Sequence, residues 1–413
     1  MKKLWPSLML LTSIHADADA LSDMLEGGKL NLQMRPRYEF VQQDGKPNDA
    51  NAFTMRTLLG YTLKPESDFG GTLQFINVSN LGPVHFNNTR NGQTAYPVVA
   101  DPAVNDVNQA FVSYAGLPQT QLKFGRQIII LDNSRWVGNV DFRQNMQTFD
   151  ALSFENNSLQ NTTLFASHIS HVKGSYANFQ TPVGYNLQHV NVNLFHASFS
   201  PVNGMNISAY DYFYQDKSFP QGAASNISSA TPGLRLDGAT KGKLRLLYTA
   251  EYAKQRSYGG GQPGIDARYE TIGGGAAYGS LYGRLDYEKL GANSTGTYGL
   301  QTPLATKHIF NGWADQFLVT PGKGLRDVFA TLGGKKGQFD LLAMVHDYRA
   351  AFDSTHYGSE WDLSASRPFT KHLSASLIYA DYRAKDGAGL AFPGTIVPNV
   401  NTRKAWLTLL YNY

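Results

Sequence analysis

The stretch from Gly125 to Ala151, GRQIIILDNSRWVGNVDFRQNMQTFDA, crowds Arg126, Asp132, Arg135, Asp141 and Arg143 together and sets Trp136 and Phe142 among them. A guanidinium is a planar fork that takes a carboxylate through two parallel hydrogen bonds, while an aromatic face receives sugar rings and apolar solutes. Such residues can recognise and steer anions without breaking bonds. The same charges could instead pair with one another and brace a folded lid, because ion clusters also serve structure.

Signals for catalysis or metal binding are weak. Gly259 to Gly264, GGGQPG, formally matches G-x-G-x-x-G. Pro263 and a following strand-like segment leave no helix N-terminus to receive a phosphate, so a flexible loop is expected. His168 and His171 are three residues apart, and His189 and His196 seven. Odd offsets on a strand place side chains on opposite faces, so neither pair is expected to hold a metal. Neither H-E-x-x-H nor G-x-S-x-G occurs. Cysteine is absent, which removes disulfides, thiolate sites and a Cys nucleophile. An enzyme, a cofactor and a metal are accordingly not expected; the alternative of a different class is a barrel hydrolase whose Ser and His are brought together by folding.

Composition bounds the elements that could position the charged stretch. The chain has 413 residues, is 42% hydrophobic, and contains 40 Gly and 23 Tyr at a mean hydropathy of −0.32. After residue 20 no run approaches the roughly 20 apolar residues that a membrane helix needs. A transmembrane β-barrel suits these values, since each strand shows lipid only its outward parity. At the start, Met1 to Lys3 is basic, Leu4 to Ile14 is mostly apolar, and Ala16-Asp17-Ala18 or Ala18-Asp19-Ala20 offers small residues to a peptidase. Residues 1–20 are therefore expected to be a secretory signal peptide and 21–413 the exported barrel. Removing that segment takes away two Lys and two Asp and leaves the net charge at +4. An excess so small and dispersed does not suggest nucleic acid.

Strand patterns support the barrel. Between Lys29 and Phe40 one parity is Leu30, Leu32, Met34, Pro36, Tyr38 and Phe40, and the other is Lys29, Asn31, Gln33, Arg35, Arg37 and Glu39. The next strand turns Phe53, Met55 and Leu59 outward and Thr54 and Arg56 inward. Similar greasy faces run from Leu244 to Tyr252, Leu281 to Tyr287 and Leu373 to Tyr379, and along Ala405, Leu407, Leu409, Tyr411 and Tyr413. Segments near Phe195, Ile207 and Met344 alternate poorly. Short connections near Pro65, Gly116, Asn157, Pro201, Asp237, Gly279, Lys335 and Pro368 alternate with long ones at 42–50, 81–106, 129–147, 172–187, 215–228, 257–265, 291–325, 351–357 and 384–401. Tight periplasmic turns and long external loops follow this rule, which predicts an all-β, antiparallel, up-and-down transmembrane barrel of about 18 strands. Parity turns Arg35, Arg37, Arg56, Arg245 and Arg284 into the lumen, with Glu39, Glu251 and Asp286 offsetting part of their charge. The long, aromatic connection at 129–147 is expected to fold inward as a constriction.

A second dense block, Thr302 to Ala330, reads TPLATKHIFNGWADQFLVTPGKGLRDVFA and falls in the longest external loop, 291–325, with His308, Trp313 and Asp315. Its PLAT, FNGWAD and GL-D elements, preceded in order by GRQ, LDN, RWVG, RQN and QTFDA, resemble the alginate export family of outer-membrane porins. The resemblance implies an eighteen-stranded channel, arginine-rich at its constriction in members that pass polyanionic uronate chains. By that likeness Asp132, Arg135 and Arg143 line or brace the pore; Arg126, from the same charged stretch, is counted with the constriction and lumen residues. The aromatic last strand resembles the ending that the barrel assembly machinery reads on outer-membrane proteins. The expected function is passive diffusion or export of anionic solutes, oligo- or polyuronates such as alginate among them, across the bacterial outer membrane. Partners are then membrane lipid, the solute and the assembly machinery. A general low-selectivity porin is the nearest alternative.

Overall fold

The computed structural model, described over residues 24–175, 187–385, 390–392, 395–397 and 399–413, folds the alternating segments into one closed antiparallel sheet of 18 strands. The first strand, Lys29–Gln43, pairs on one side with Ala50–Thr62 and on the other with the last strand, Thr402–Asn412, which closes the barrel. A separate hairpin, Leu390–Phe392 with Thr395–Val397, stands in the final long connection. Residues 1–20, with the expected signal peptide, and most of the 172–187 connection lie outside the described residues. Among the described residues no helix is long and apolar enough to cross a membrane.

The two parities separate as the sequence requires. Leu59, Leu246, Leu285, Val345 and Leu407 are each about half exposed on the outside, where lipid meets them. Inward Arg37, Glu39, Thr54 and Arg56 are buried. The turn expected near Asp237 comes later, because that strand runs Ser229–Ala239 and its neighbour starts at Leu244. In the two-residue turn after Tyr278, Gly279 has φ of +58°, a left-handed geometry that glycine adopts without a Cβ clash. At the chain's end the Tyr413 amide donates to the Leu32 carbonyl at 2.9 Å, so the aromatic terminus is tied into the sheet.

Two departures from alternation have physical causes. On Leu187–Phe199 the inward Val190, Val192 and Leu194 are fully buried, because an inward loop carrying Ile129, Leu131 and Trp136 packs against them. That wall is dry, so its inner parity is apolar too. On Thr162–Lys173 a register shift between Ile169 and His171 places Ile169 and Val172 both in the inner core. His168 and His171, expected on opposite faces, therefore share the outer one. There His171 Nε2 lies 3.0 Å from His189 Nδ1, and His168 Nδ1 lies 3.0 Å from Asn193 Oδ1.

Candidate solute constriction

Residues 128–147 leave the strand Thr120–Gln127 and follow the inner wall before returning at Thr148–Asn156. Apolar burial of Ile129, Leu131 and Trp136 draws the segment inward. Polar contacts then fix its path. Asp132 accepts from Ser208 Oγ at 2.7 Å and meets His196 Nε2 at 3.0 Å. The Trp136 indole donates to Glu251 at 2.6 Å and sets an edge on Tyr269 at 5.2 Å. Asp132, Ser134 and Val140 all hold positive φ, at 47°, 67° and 52°. Left-handed backbone is costly for such residues, above all for β-branched Val140, and persists only where surrounding contacts impose it.

The far side of the loop is held by arginines of the first two strands. Arg35 and Arg56 stand directly opposite each other in register. Arg56 Nη1 donates to Asp141 Oδ1 at 2.6 Å, and Arg35 Nη1 donates to the Asp141 carbonyl at 2.7 Å. Arg35 also donates to the Arg143 carbonyl at 2.5 Å, and Arg37 to the Phe142 carbonyl at 2.5 Å and Asp101 at 2.5 Å. Guanidinium forks thus grip three consecutive carbonyls. Arg143 in turn contacts Glu39 at 3.1 Å and Asp315 at 3.1 Å. Arg135, 2% exposed at its side chain, lies with Nε 2.9 Å from Glu288 Oε1. That nitrogen makes no aligned hydrogen bond, so the contact is ionic, and Nη2 donates to Asn311 at 3.0 Å.

The 291–324 connection, expected outside, folds into the barrel as well. Asn311 donates to Glu288 and Asp327, the Trp313 and Ala314 amides donate to Asp362 and Glu360, and Asp315 receives Lys404 at 2.7 Å. His308, Trp313 and Asp315 therefore sit against the inner wall. Buried carboxylates on the strands beyond supply the acceptors that draw them there. The two inward loops are joined: Val137 and Leu304 form a parallel bridge, and the Phe142 ring stacks on His308 with centroids 3.3 Å apart. Gly312, at φ of +83°, passes so close to Tyr348 and Glu360 that a Cβ would overlap both.

The remaining arginines of the expected set lie elsewhere. Arg126 is opposite Asp150, which its Nε reaches at 2.7 Å, in the parity of exposed Phe124 and Leu152. It belongs to the outer side of the wall, not the lumen. The last outward position of the strand Thr120–Gln127 forms an ion pair with its neighbour. Arg284 faces inward and binds Asp286 at 2.6 Å; Arg245 is inward and exposed near a periplasmic turn. Glu288, Asp101, Lys404, Glu360 and Asp362 join the site without having been singled out. The parity of their strands would have turned the wall residues inward, but only the loop paths show what they bind.

The electrostatics favour a permanently ionised clasp. Burial alone would raise the Asp315 carboxyl, yet His308, Lys404 and Arg143 hold it well below the usual carboxylate range. Burial opposes Asp141 in the same way, and Arg56 and Arg35 overcome it to lower its pKa. Lys307 is different: burial first, then Arg135, brings its ammonium down to about 8. A lysine lowered on folding favours the neutral form, so the loop gains stability as pH rises from near 8 towards the free-lysine value. We expect the anion-to-cation permeability ratio to fall across pH 7–9 as that charge is lost. Reversal potentials of the parent and a Lys307→Met variant check this; equal pH dependence in both would refute it.

Ser208, Asp132 and His196 form a Ser-Asp-His constellation, but Ser and His both contact the carboxylate. A hydrolase needs the imidazole against the hydroxyl. The arrangement anchors the loop.

Comparison with known sequences and folds agrees with this architecture. The pattern of the family described as alginate export matches residues 82–293. No curated protein matches the sequence significantly. OpdK of Pseudomonas aeruginosa, solved with vanillate, is 14% identical, with a TM-score of 0.69 over 94% of this chain and 99% of that one. OccAB2 of Acinetobacter baumannii is 13% identical, with a TM-score of 0.70 over 95% and 99%. At these identities the likeness concerns the fold.

Proposed function

The chain belongs to the alginate export family and is an outer-membrane porin, and from that premise we propose that it passes small carboxylated solutes, short uronate chains among them, by passive diffusion past its two joined inward loops. One observation carries the reading. Arg35 and Arg56 hold the Asp141 carboxylate at the lumen surface, where its side chain is 52% exposed. Both guanidiniums are buried with their donors taken by Asp141 and by loop carbonyls, so they act on a passing carboxylate through their positive field at the edge of the passage and not through free donors. Cationic walls raise the local concentration of anions in a confined aqueous path, so permeation needs no catalytic step. The bracing role expected of Arg135 and Arg143 fits their burial among carboxylates.

A low-selectivity diffusion channel is the second reading, favoured by the pairing of Arg135 with Glu288 and of Arg143 with Glu39 and Asp315. Planar-bilayer recording separates the two. The first reading predicts discrete conductance steps, an anion-to-cation permeability ratio above one, and concentration-dependent block by millimolar di- and triuronates. A ratio near one with no block selects the second reading. Absence of discrete steps defeats both.

A further inference from the structure

On the outer face of the barrel one sector breaks the pattern that lipid requires. Six residues in from the short-turn ends of four consecutive strands, the outward positions are Asp150, His168, Asn193 and Asp211. At about 3.3 Å rise and a tilt near 40°, they stand roughly 15 Å above the periplasmic turns. The same count on other strands reaches Ile272, 65% exposed, and Val345, 56% exposed. Apolar groups serve at that height across the barrel; here there are two carboxylates, an imidazole and an amide. Asp150 is satisfied by Arg126. Asp211 is not: its Oδ1 is buried and makes no hydrogen bond. An outward ionisable side chain at this depth is costly against lipid.

We propose that this sector docks a second copy of the chain, with Asp211 of each copy meeting His168 of the other. Copies in one membrane share their orientation, so the two-fold axis of a dimer must run along the membrane normal. An axis along the membrane normal that passes over the outer face of the strand Leu187–Phe199 at Asn193 exchanges the strands on its two sides, Thr162–Lys173 and Met205–Asp216. Asp211 and His168, at equal height, are then brought face to face in both halves of the contact. Asn193, on the central strand, meets Asn193 of the second copy, and an amide carries both donor and acceptor for that self-pairing. His168 can take its part as an imidazolium: Nδ1 donates to Asn193 Oδ1, and Nε2 of the protonated ring is left to donate to a carboxylate. Below this rung Leu152, Phe195 and Phe199, 52%, 53% and 43% exposed, provide the aromatic and apolar area that interfaces favour. Lipopolysaccharide is the less fitting occupant, because its phosphates would have to approach the Asp211 carboxylate, which has Arg256 in its vicinity but no hydrogen bond at Oδ1.

The chain contains no cysteine, so a single Asn193→Cys variant reports proximity cleanly in native outer membranes. Mild oxidation is expected to convert most of it to a band of twice the chain mass, while Leu377→Cys on the opposite side of the barrel, 55% exposed, stays monomeric. In mild detergent Asp211→Leu should shift the particle from dimer to monomer mass, and the exchange Asp211→His with His168→Asp should restore the dimer. A monomeric Asn193→Cys band overturns the proposal, as does a cross-linked band of another mass. A parent particle of monomer mass carrying bound lipopolysaccharide overturns it too.

Discussion

Replacing Arg143 with methionine is expected to raise single-channel conductance and lower the anion-to-cation permeability ratio, while the barrel itself stays folded. The guanidinium lies among Glu39, Asp101 and Asp315, at 3.1, 3.8 and 3.1 Å. These carboxylates raise its pKa against the opposing effect of burial. Removing one partner of a buried ionic cluster leaves uncompensated charge and costs roughly 3–5 kcal/mol. That energy acts where the two inward loops meet, since Arg143 belongs to one and Asp315 to the other. The loops should separate and the aperture widen. The strand ladder has its own hydrogen bonds and should be indifferent. Arg143→Lys keeps the charge without the fork and should fall between parent and Met variant. Bilayer conductance and reversal potential measured together check this; unchanged values for both would remove Arg143 from the passage and from its bracing.

Trp136→Ala should release the other end of the same loop. The indole is 7% exposed, packs on Tyr210 and Tyr269, and donates to Glu251. Truncating a buried tryptophan typically costs about 3–5 kcal/mol. Glu251 keeps Tyr210 at 2.5 Å and Arg235 at 2.7 Å, so the wall should survive and the loss should fall on the loop. Left-handed Ser134, two residues from the indole, would then relax most, while Asp132 keeps Ser208 and His196 and Val140 keeps its amide bond to Thr306. The readout is limited trypsin digestion of the folded barrel: the parent resists cleavage after Arg135 and Arg143, and the variant is cut there. A variant as resistant as its parent would show that the tryptophan does not hold the loop.

The barrel was legible because lipid and water impose period-two alternation strand by strand, and turn lengths add the count. Where legibility failed, a third environment had intervened. Val190, Val192 and Leu194 read as noise in the pattern because their inner face meets protein instead of water. His168 and His171 were assigned opposite faces because a bulge leaves no mark in residue spacing. Arg126 shared a charged stretch with Arg135 but ended on the other side of the wall, since parity near a strand end depends on where the strand stops. The charged constriction loop was visible as a composition; its partners were not. Asp132 finds Ser208, and Arg143 finds Asp315, across sequence distances that only closure of the barrel makes short.

Those distances bear on the order in which the molecule can be made. The clasp draws Arg35, Arg37 and Arg56 from the start of the chain and Lys404 from its last strand, and both loops lean on each other between them. Loop-closure entropy makes such remote contacts late events. An unfinished barrel, still open between its first and last strands, therefore holds an unclasped interior through which solutes could leak. The clasp proposed above as the filter is complete only when the seam shuts, so its assembly would itself report that insertion has finished.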